Sequence, residues 1–272
     1  MLIIGESING SIPSVGQAII NRDEQWIQSL AKLQENSGAQ MLDVNAGGLS
    51  NRDEVSDLIW LVEIVQKSVS IPLVLDSNNI DALKAAVSIY KGENLILSSL
   101  TAEEQRLNDL LPLVLEQNCG VIALCIDEKG ISLEPKRRLE IASLLVERAI
   151  AGGLEPQNLY IDPLVLTLGV NYNAGAITLE TLRLIHEQFP QVNTVCGVSN
   201  VGFEMPNRRL LNRTFVAMLL ALGLNTFMVD VRDKELMGAL LAAAALNGQD
   251  EWCMNYLNAY RAGKLDFSGR AL

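Results

Sequence analysis

The sequence predicts a single (β/α)8 barrel with one helix appended at its C-terminal end. Three observations carry that expectation. Eight short apolar runs recur along the 272 residues, each ending in polar residues. A longer segment of helical period follows each run. The runs recur every ~32 residues, the size of one strand–helix unit. Strands that are apolar throughout fit a parallel sheet covered on both faces. Left open, eight such units would form a doubly wound sheet; the count of eight and the short strand-to-helix loops favour closure. No linker or change of composition divides the chain, so residues 1–272 read as one domain.

The runs are Leu2–Ile4, Met41–Val44, Leu73–Leu75, Leu95–Leu97, Val121–Ile126, Leu159–Ile161, Thr194–Val198 and Thr226–Val229. Between them, positions 24–37, 80–90, 135–151 and 178–189 carry helical patterns. Asp53 reads as an N-cap ahead of Val55, Leu58, Ile59, Val62, Val65 and Val69, which share one helix face. Thr101 and Glu104 read as a capping box ahead of Leu110, Leu111 and Val114. Leu211, Phe215, Met218, Leu219 and Leu222 form another apolar stripe, closed by Gly223 just past the helix end. Asp233 opens a Leu/Ala-rich helix that ends near Gly248, and the appended helix falls at about 250–262.

Composition narrows the function classes. Asp and Glu outnumber Lys and Arg 32 to 21, a net charge of −11, which argues against a nucleic-acid partner. No apolar run is long enough to span a membrane, and the apolar start Met1–Gly5 is too short for a signal peptide. Cys119, Cys125, Cys196 and Cys253 show no paired spacing and no histidine neighbour, which reads as reduced thiols in a cytoplasmic protein without a metal site.

In a barrel, the chemistry sits at the C-terminal ends of the strands. Those ends deliver Glu6 and Asn9, Asp43 and Asn45, Asp76, Ser77 and Asn78, Ser98 and Ser99, Asp127, Asp162, Ser199 and Asn200, and Asp230. Singly, such residues cap helices and fill turns about as often as they bind ligands. As a ring at one end of eight strands, they describe a polar pocket. The only histidine, His186, falls on an outer helix, so a Ser-His-Asp triad, a Cys-His pair and a histidine zinc site lack their parts. No lysine lies at a strand end to form a Schiff base. A pocket of acids and amides suits a neutral heterocycle rich in N–H donors.

Five stretches carry a family resemblance: Leu2–Gly10, Leu42–Gly47, Leu75–Asn78, Leu159–Leu164 and Gly197–Val201, supported by Asn207-Arg208 and Leu211–Phe215. Together they resemble the pterin-binding barrels, and within them the methyltetrahydrofolate:corrinoid/iron–sulfur protein methyltransferases. The resemblance runs from Met1 to about Gly248. It implies that Asp76, Asp162 and the position of Ser98 line the pterin ring. Gly197 and Ser199 would let the ring approach the backbone, Asn200 would contact N5 of the folate, and Arg208 would hold the folate tail or a partner protein. It also implies methyltetrahydrofolate or tetrahydrofolate as substrate, a corrinoid supplied by a separate protein, and a homodimer. Two positions depart from the family: Ser98-Ser99 stand where Asn-Ser is usual, and Gly202-Phe203-Glu204 replaces a stretch richer in amides.

Two other readings stay open beside this one. A dihydropteroate synthase shares the barrel and the pterin aspartates, but it would need a lysine after a late strand; here those strands end in Ser199-Asn200 and Asp230-Val231-Arg232. A non-catalytic folate- or corrinoid-binding module would share the pocket without the transfer. The stretch Leu166–Ile177 reads as a loop that could cover the pocket.

Overall fold

The structure is a computed structural model and describes residues 1–266; the last six residues of the 1–272 domain assignment lie outside the described residues. The strands, in chain order, are β1 (Leu2–Asn9), β2 (Met41–Asn45), β3 (Leu73–Asp76), β4 (Ile96–Leu100), β5 (Gly120–Leu124), β6 (Ile126–Asp127), β7 (Gly130–Ile131), β8 (Leu159–Asp162), β9 (Asn193–Gly197) and β10 (Thr226–Val229). All but β6 and β7 form one closed barrel in the order β1-β10-β9-β8-β5-β4-β3-β2, and β6 and β7 form a separate antiparallel hairpin. Ile4 is in register with Met41 on one side and Met228 on the other, which closes the ring between first and last strands.

The helices are α1 (Pro13–Asn21), α2 (Glu24–Asn36), α3 (Glu54–Gln66), α4 (Ile80–Ile89), α5 (Glu104–Gln117), α6 (Pro135–Ala151), α7 (Ala174–Gln188), α8 (Arg208–Ala221), α9 (Lys234–Leu246) and α10 (Met254–Arg261). Successive residues of a strand face opposite sides of the sheet, and that alternation splits the core in two. Leu42, Leu75, Leu97, Val121, Ile161, Cys196 and Phe227 belong to the large cluster shared with the helices. Ile4, Met41, Val74, Ile96, Ile122 and Val195 form a second cluster, with Tyr160 and Met228 against it, so that each barrel strand contributes one side chain to a plug inside the barrel.

The helix signals hold where a side chain makes the cap. Asp53 accepts from Val55 N at 3.1 Å, Asp233 from Leu236 N at 3.1 Å, and Gly223 takes the left-handed conformation after α8 with φ +92°. The Thr101/Glu104 capping box does not form. Glu103 takes the cap position of α5, Thr101 Oγ1 donates to the Glu103 carboxylate at 2.8 Å, and Glu128 of the β6–β7 turn accepts from Glu104 N at 3.0 Å. The run Val121–Ile126 is likewise two elements. It breaks at Cys125, whose N–H turns to Asp162 O at 3.1 Å, and the chain then folds into the hairpin. Helix α1 carried no signal: it is short, has Gly16 at its centre, and opens on Pro13 without a side-chain cap.

Candidate active site

Two residues beyond the apolar plug, the same strands change character. Ile4 is followed by Glu6, Met41 by Asp43, Val74 by Asp76, Ile96 by Ser98, Tyr160 by Asp162, Val195 by Gly197 and Met228 by Asp230. An interval of two keeps each on the inward face, so seven of the eight strands turn from apolar to polar or side-chain-free at one level. This gathers Asp76, Ser98, Asp162 and Gly197 at one mouth.

Crowding and burial set the electrostatics there. Burial drives Asp162 up to about 7, against the opposing pull of the Leu164 N–H, which donates to Oδ1 at 2.7 Å, and of Arg138. Among the described residues, Asp162 Oδ2 takes no donor. Burial also raises Asp76, although Asn45 Nδ2 donates to its Oδ2 at 2.6 Å and the Ser98 hydroxyl hydrogen-bonds to it. Ser98 therefore supports the Asp76 carboxylate. Asp43 is held well above the ordinary carboxylate range by burial and by the charges of Asp76 and Glu6, and its Oδ1 is buried without a hydrogen bond. Glu6 is pushed by burial to about 7, although Ser199 Oγ donates to its carboxylate. Burial raises Asp230 too, but the hydrogen bonds and charge of Arg232 outweigh it and leave the carboxyl below its usual value.

A short helical turn, Val198–Asn200, follows β9 and presents the catalytic candidate. Asn200 is exposed, and among the described residues its amide makes no hydrogen bond. A side chain at position 197 would bring a Cβ within 3.2 Å of Asn200 Nδ2, so Gly197 leaves room for that amide. Arg208 opens α8, donates to Ser199 O at 2.9 Å and lies over the Phe203 ring with its guanidinium carbon 5.7 Å from the centroid. Arg208 is thus fastened to the turn that carries Ser199 and Asn200.

Sequence reading missed two arginines behind the site. Arg106 on α5 donates to Ser99 O, Asn78 O and Ser77 O at 2.8, 3.0 and 2.7 Å, clamping the loops after β3 and β4. Arg138 on α6 is buried and donates to Ser132 O, Pro163 O and Leu164 O at 2.7, 2.8 and 2.8 Å, fixing the chain just beyond Asp162. Both lie on outer helices, where arginine ordinarily faces solvent; only their unpaired charge opposite the acid ring could have marked them. Asp127 leaves that ring, because the hairpin turns it to Arg137 and Lys129 N. The stretch 166–177 is no free cover: Leu168 N bonds to Val201 O at 3.1 Å, Thr167 Oγ1 to Phe203 O at 2.6 Å, and α7 starts at Ala174. No group of three or more acid, histidine or cysteine side chains that could hold a metal ion occurs among the described residues.

A closed eight-stranded barrel whose mouth is lined with desolvated carboxylates and a free amide has the chemistry to receive a flat, donor-rich heterocycle. The comparisons name the group. The model of the pterin binding enzyme family matches residues 8–230, and the chain belongs to that family. It is 33% identical over 267 residues to a methylcorrinoid:tetrahydrofolate methyltransferase of Eubacterium limosum, covering 97% of this chain and 98% of that protein. A methionine synthase of Mycobacterium tuberculosis is 30% identical over 243 residues, 84% of this chain but 20% of that much longer protein. Among solved structures, the dihydropteroate synthase of Xanthomonas albilineans in complex with 7,8-dihydropteroate superposes with a TM-score of 0.63 at 18% identity, covering 90% of this chain and 92% of that one. A dihydropteroate synthase of Coxiella burnetii with pteroic acid gives 0.65 at 15% identity, covering 92% and 94%. At those identities the solved structures share the fold.

Proposed function

We propose that this protein transfers a methyl group between N5 of methyltetrahydrofolate and the cobalt of a corrinoid carried on a separate protein. The observation that carries this reading is the free Asn200 amide beside carboxylates that lack donors. A pterin carries a 2-amino group and ring N–H donors along one edge. Asp162 Oδ2 and the buried Asp43 Oδ1 have no protein donor among the described residues, and Asp76 is already oriented by Asn45 and Ser98. Donors on a ligand would satisfy the first two and stabilise the carboxylates' ionised forms.

The nearly full-length relative from Eubacterium limosum supports the chemistry, since its name states transfer between a methylcorrinoid and tetrahydrofolate. The corrinoid supplies the cobalt that gives or accepts the methyl group. This chain positions the folate and manages the proton at N5. A tertiary amine leaves poorly unless N5 gains positive character. The Asn200 carbonyl can accept a hydrogen bond from protonated N5, an interaction that strengthens as charge develops there. Arg208, stacked on Phe203, faces the part of the mouth where the folate tail or the partner would lie. Above the mouth, Ile131, Leu133, Val170, Tyr172, Phe203 and Leu210 are exposed apolar side chains suited to a docked carrier. The chain acts as one domain over 1–272 and as a homodimer. Its free cysteines, three of them buried, agree with a reducing cytoplasm, and no described helix is long and apolar enough to cross a membrane.

Anaerobic mixing of the protein with methyltetrahydrofolate and cob(I)alamin or a reduced corrinoid protein tests the reading. The expected result is an enzyme-dependent loss of the cobalt(I) absorption band as the methylcobalt(III) band rises. Folate binding by calorimetry with no spectral change would replace the reading with a binding module. Asn200→Ala should lower turnover by about 100-fold or more while changing folate affinity little; equal losses in both would assign Asn200 to binding alone.

A further inference from the structure

Leu164, just beyond the end of β8, stands in the left-handed region at φ +68°. There a leucine's Cβ crowds the following carbonyl oxygen, and such a position persists only where the surrounding structure over-determines it. Asn51, Asn94, Asn118 and Asn207 also occupy this region; asparagine tolerates it better than leucine does, and all four are exposed. Among the described non-glycine residues with positive φ, Leu164 alone is buried.

Two helices hold it there. Arg138 Nη1 on α6 donates to Pro163 O and to Leu164 O, both at 2.8 Å, and Thr178 Oγ1 on α7 donates to Leu164 O at 2.7 Å. Arg138 and Thr178 are 1% and 0% exposed, so releasing a carbonyl would leave a buried donor without water to replace it. The grip reaches Asp162 through one planar unit. Pro163 C=O and Leu164 N–H are the two ends of the same peptide. Its carbonyl lies on Arg138, and its N–H donates to Asp162 Oδ1 at 2.7 Å. The proline ring fixes φ on one side of that peptide, and the left-handed Leu164 stands on the other. The chain is anchored before it, where Cys125 N donates to Asp162 O at 3.1 Å, and after it, where Leu168 N donates to Val201 O at 3.1 Å. Relaxing Leu164 to a negative φ between those anchors turns the peptide and withdraws its N–H from Oδ1. The carboxylate would then lose the contact that fixes which oxygen is left for a ligand.

We propose that Arg138 is a positioning residue for folate binding: gripping the Pro163–Leu164 peptide, it keeps Leu164 left-handed and so orients the Asp162 carboxylate toward the bound ring. The inference rests on the reading above, in which the pterin meets Asp162. The test is a double-mutant cycle on methyltetrahydrofolate affinity, measured by calorimetry on wild type, Arg138→Met, Leu164→Gly and the double variant. Without the clamp, binding has to restore the strained leucine, so Arg138→Met should weaken affinity by about 5- to 30-fold, the strain expressed as a population of the competent state. Glycine adopts positive φ without that strain. Beside Leu164→Gly, the same Arg138→Met change should therefore cost at most about 2-fold. An equal cost in both backgrounds would mean that Arg138 acts through its charge or its packing and overturns the proposal, as does no cost in the wild-type background. Thr178→Val keeps the side-chain shape and removes one donor to Leu164 O, so it carries the same cycle should Arg138→Met not fold. Its expected loss is about 2- to 10-fold, again reduced beside Leu164→Gly. A wild-type chain that binds no methyltetrahydrofolate overturns the folate reading and this inference together. With a wild type that binds, the cycle decides this inference alone, and the cobalt spectrum of the wild type decides methyl transfer.

Discussion

The two levels of the barrel interior share strands and facing, and they differ by two residues. At the lower level, Ile4, Met41, Val74, Ile96, Ile122 and Val195 fill the barrel. Each such side chain contributes about 1.5–3 kcal/mol by leaving water. At the upper level, Glu6, Asp43 and Asp76 follow the first three of those residues, and Asp162 follows Tyr160; their burial raises the pKa of all four. Burying a carboxylate without a full set of donors costs free energy. The lower level stabilises the fold, and the upper level is held against its own preference by the structure around it. The two arginine clamps show how. Arg106 and Arg138 spread three hydrogen bonds each over backbone carbonyls of the rim loops, leaving the acids for a ligand.

Substitutions at the two levels should therefore act in opposite directions. The largest effect belongs to the lower one. Ile122→Ala removes a buried side chain from the plug and should destabilise by about 2–5 kcal/mol, read as a lower denaturant midpoint, with folate affinity unchanged in the fraction that stays folded. At the upper level, Asp162→Asn should weaken folate binding by about 10- to 100-fold, the value of a hydrogen bond to a charged acceptor. The same change should raise the melting temperature of the ligand-free protein at pH 8, because it removes a buried charge. If Asp162→Asn lowered both, Asp162 would be a structural acid and the contrast between the levels would collapse.

The sequence made the upper level legible because strand ends are easy to locate. Once the apolar runs are found, Asp76, Asp162 and Asp230 follow as the next polar residues, and parallel pairing brings them to one rim. What stayed hidden depends on contacts between distant segments. Arg138 sits in an ordinary amphipathic pattern, and nothing local shows that it reaches Pro163 and Leu164. The Thr101/Glu104 spacing matched a capping box, but Glu128 from another unit supplies the oxygen that binds the Glu104 N–H. Cys125 reads as part of a strand until Asp162 O takes its N–H and lets the hairpin begin. Ser98 was legible as a rim residue, but its service to Asp76 depends on the neighbouring strand.

The smallest expected effect, and the finest probe of the contrast, is on pH. Glu6 and Asp162 both stand near about 7 in the folded, ligand-free chain, against about 4 for an unfolded carboxylate. Between those values the native state binds more protons than the unfolded state, so stability falls as pH rises from about 4 to about 7 and levels off above. A ligand that donates N–H groups to Asp162 favours the ionised form and draws its pKa down. Folate should therefore bind more tightly as pH rises through 7, by less than about tenfold per pH unit, and binding near pH 7 should release protons. Calorimetry in two buffers of different ionisation enthalpy measures that release directly. An unchanged proton count would mean that the ligand does not engage the carboxyl. Proton uptake instead of release would mean that the carboxyl is protonated in the complex and donates to the ligand. The upper level would then present a hydrogen-bond donor where the geometry supplies an acceptor. Repeating the titration with Asp162→Asn isolates the share of Asp162: whatever release remains belongs to the other buried acids of the rim, Glu6, Asp43 and Asp76.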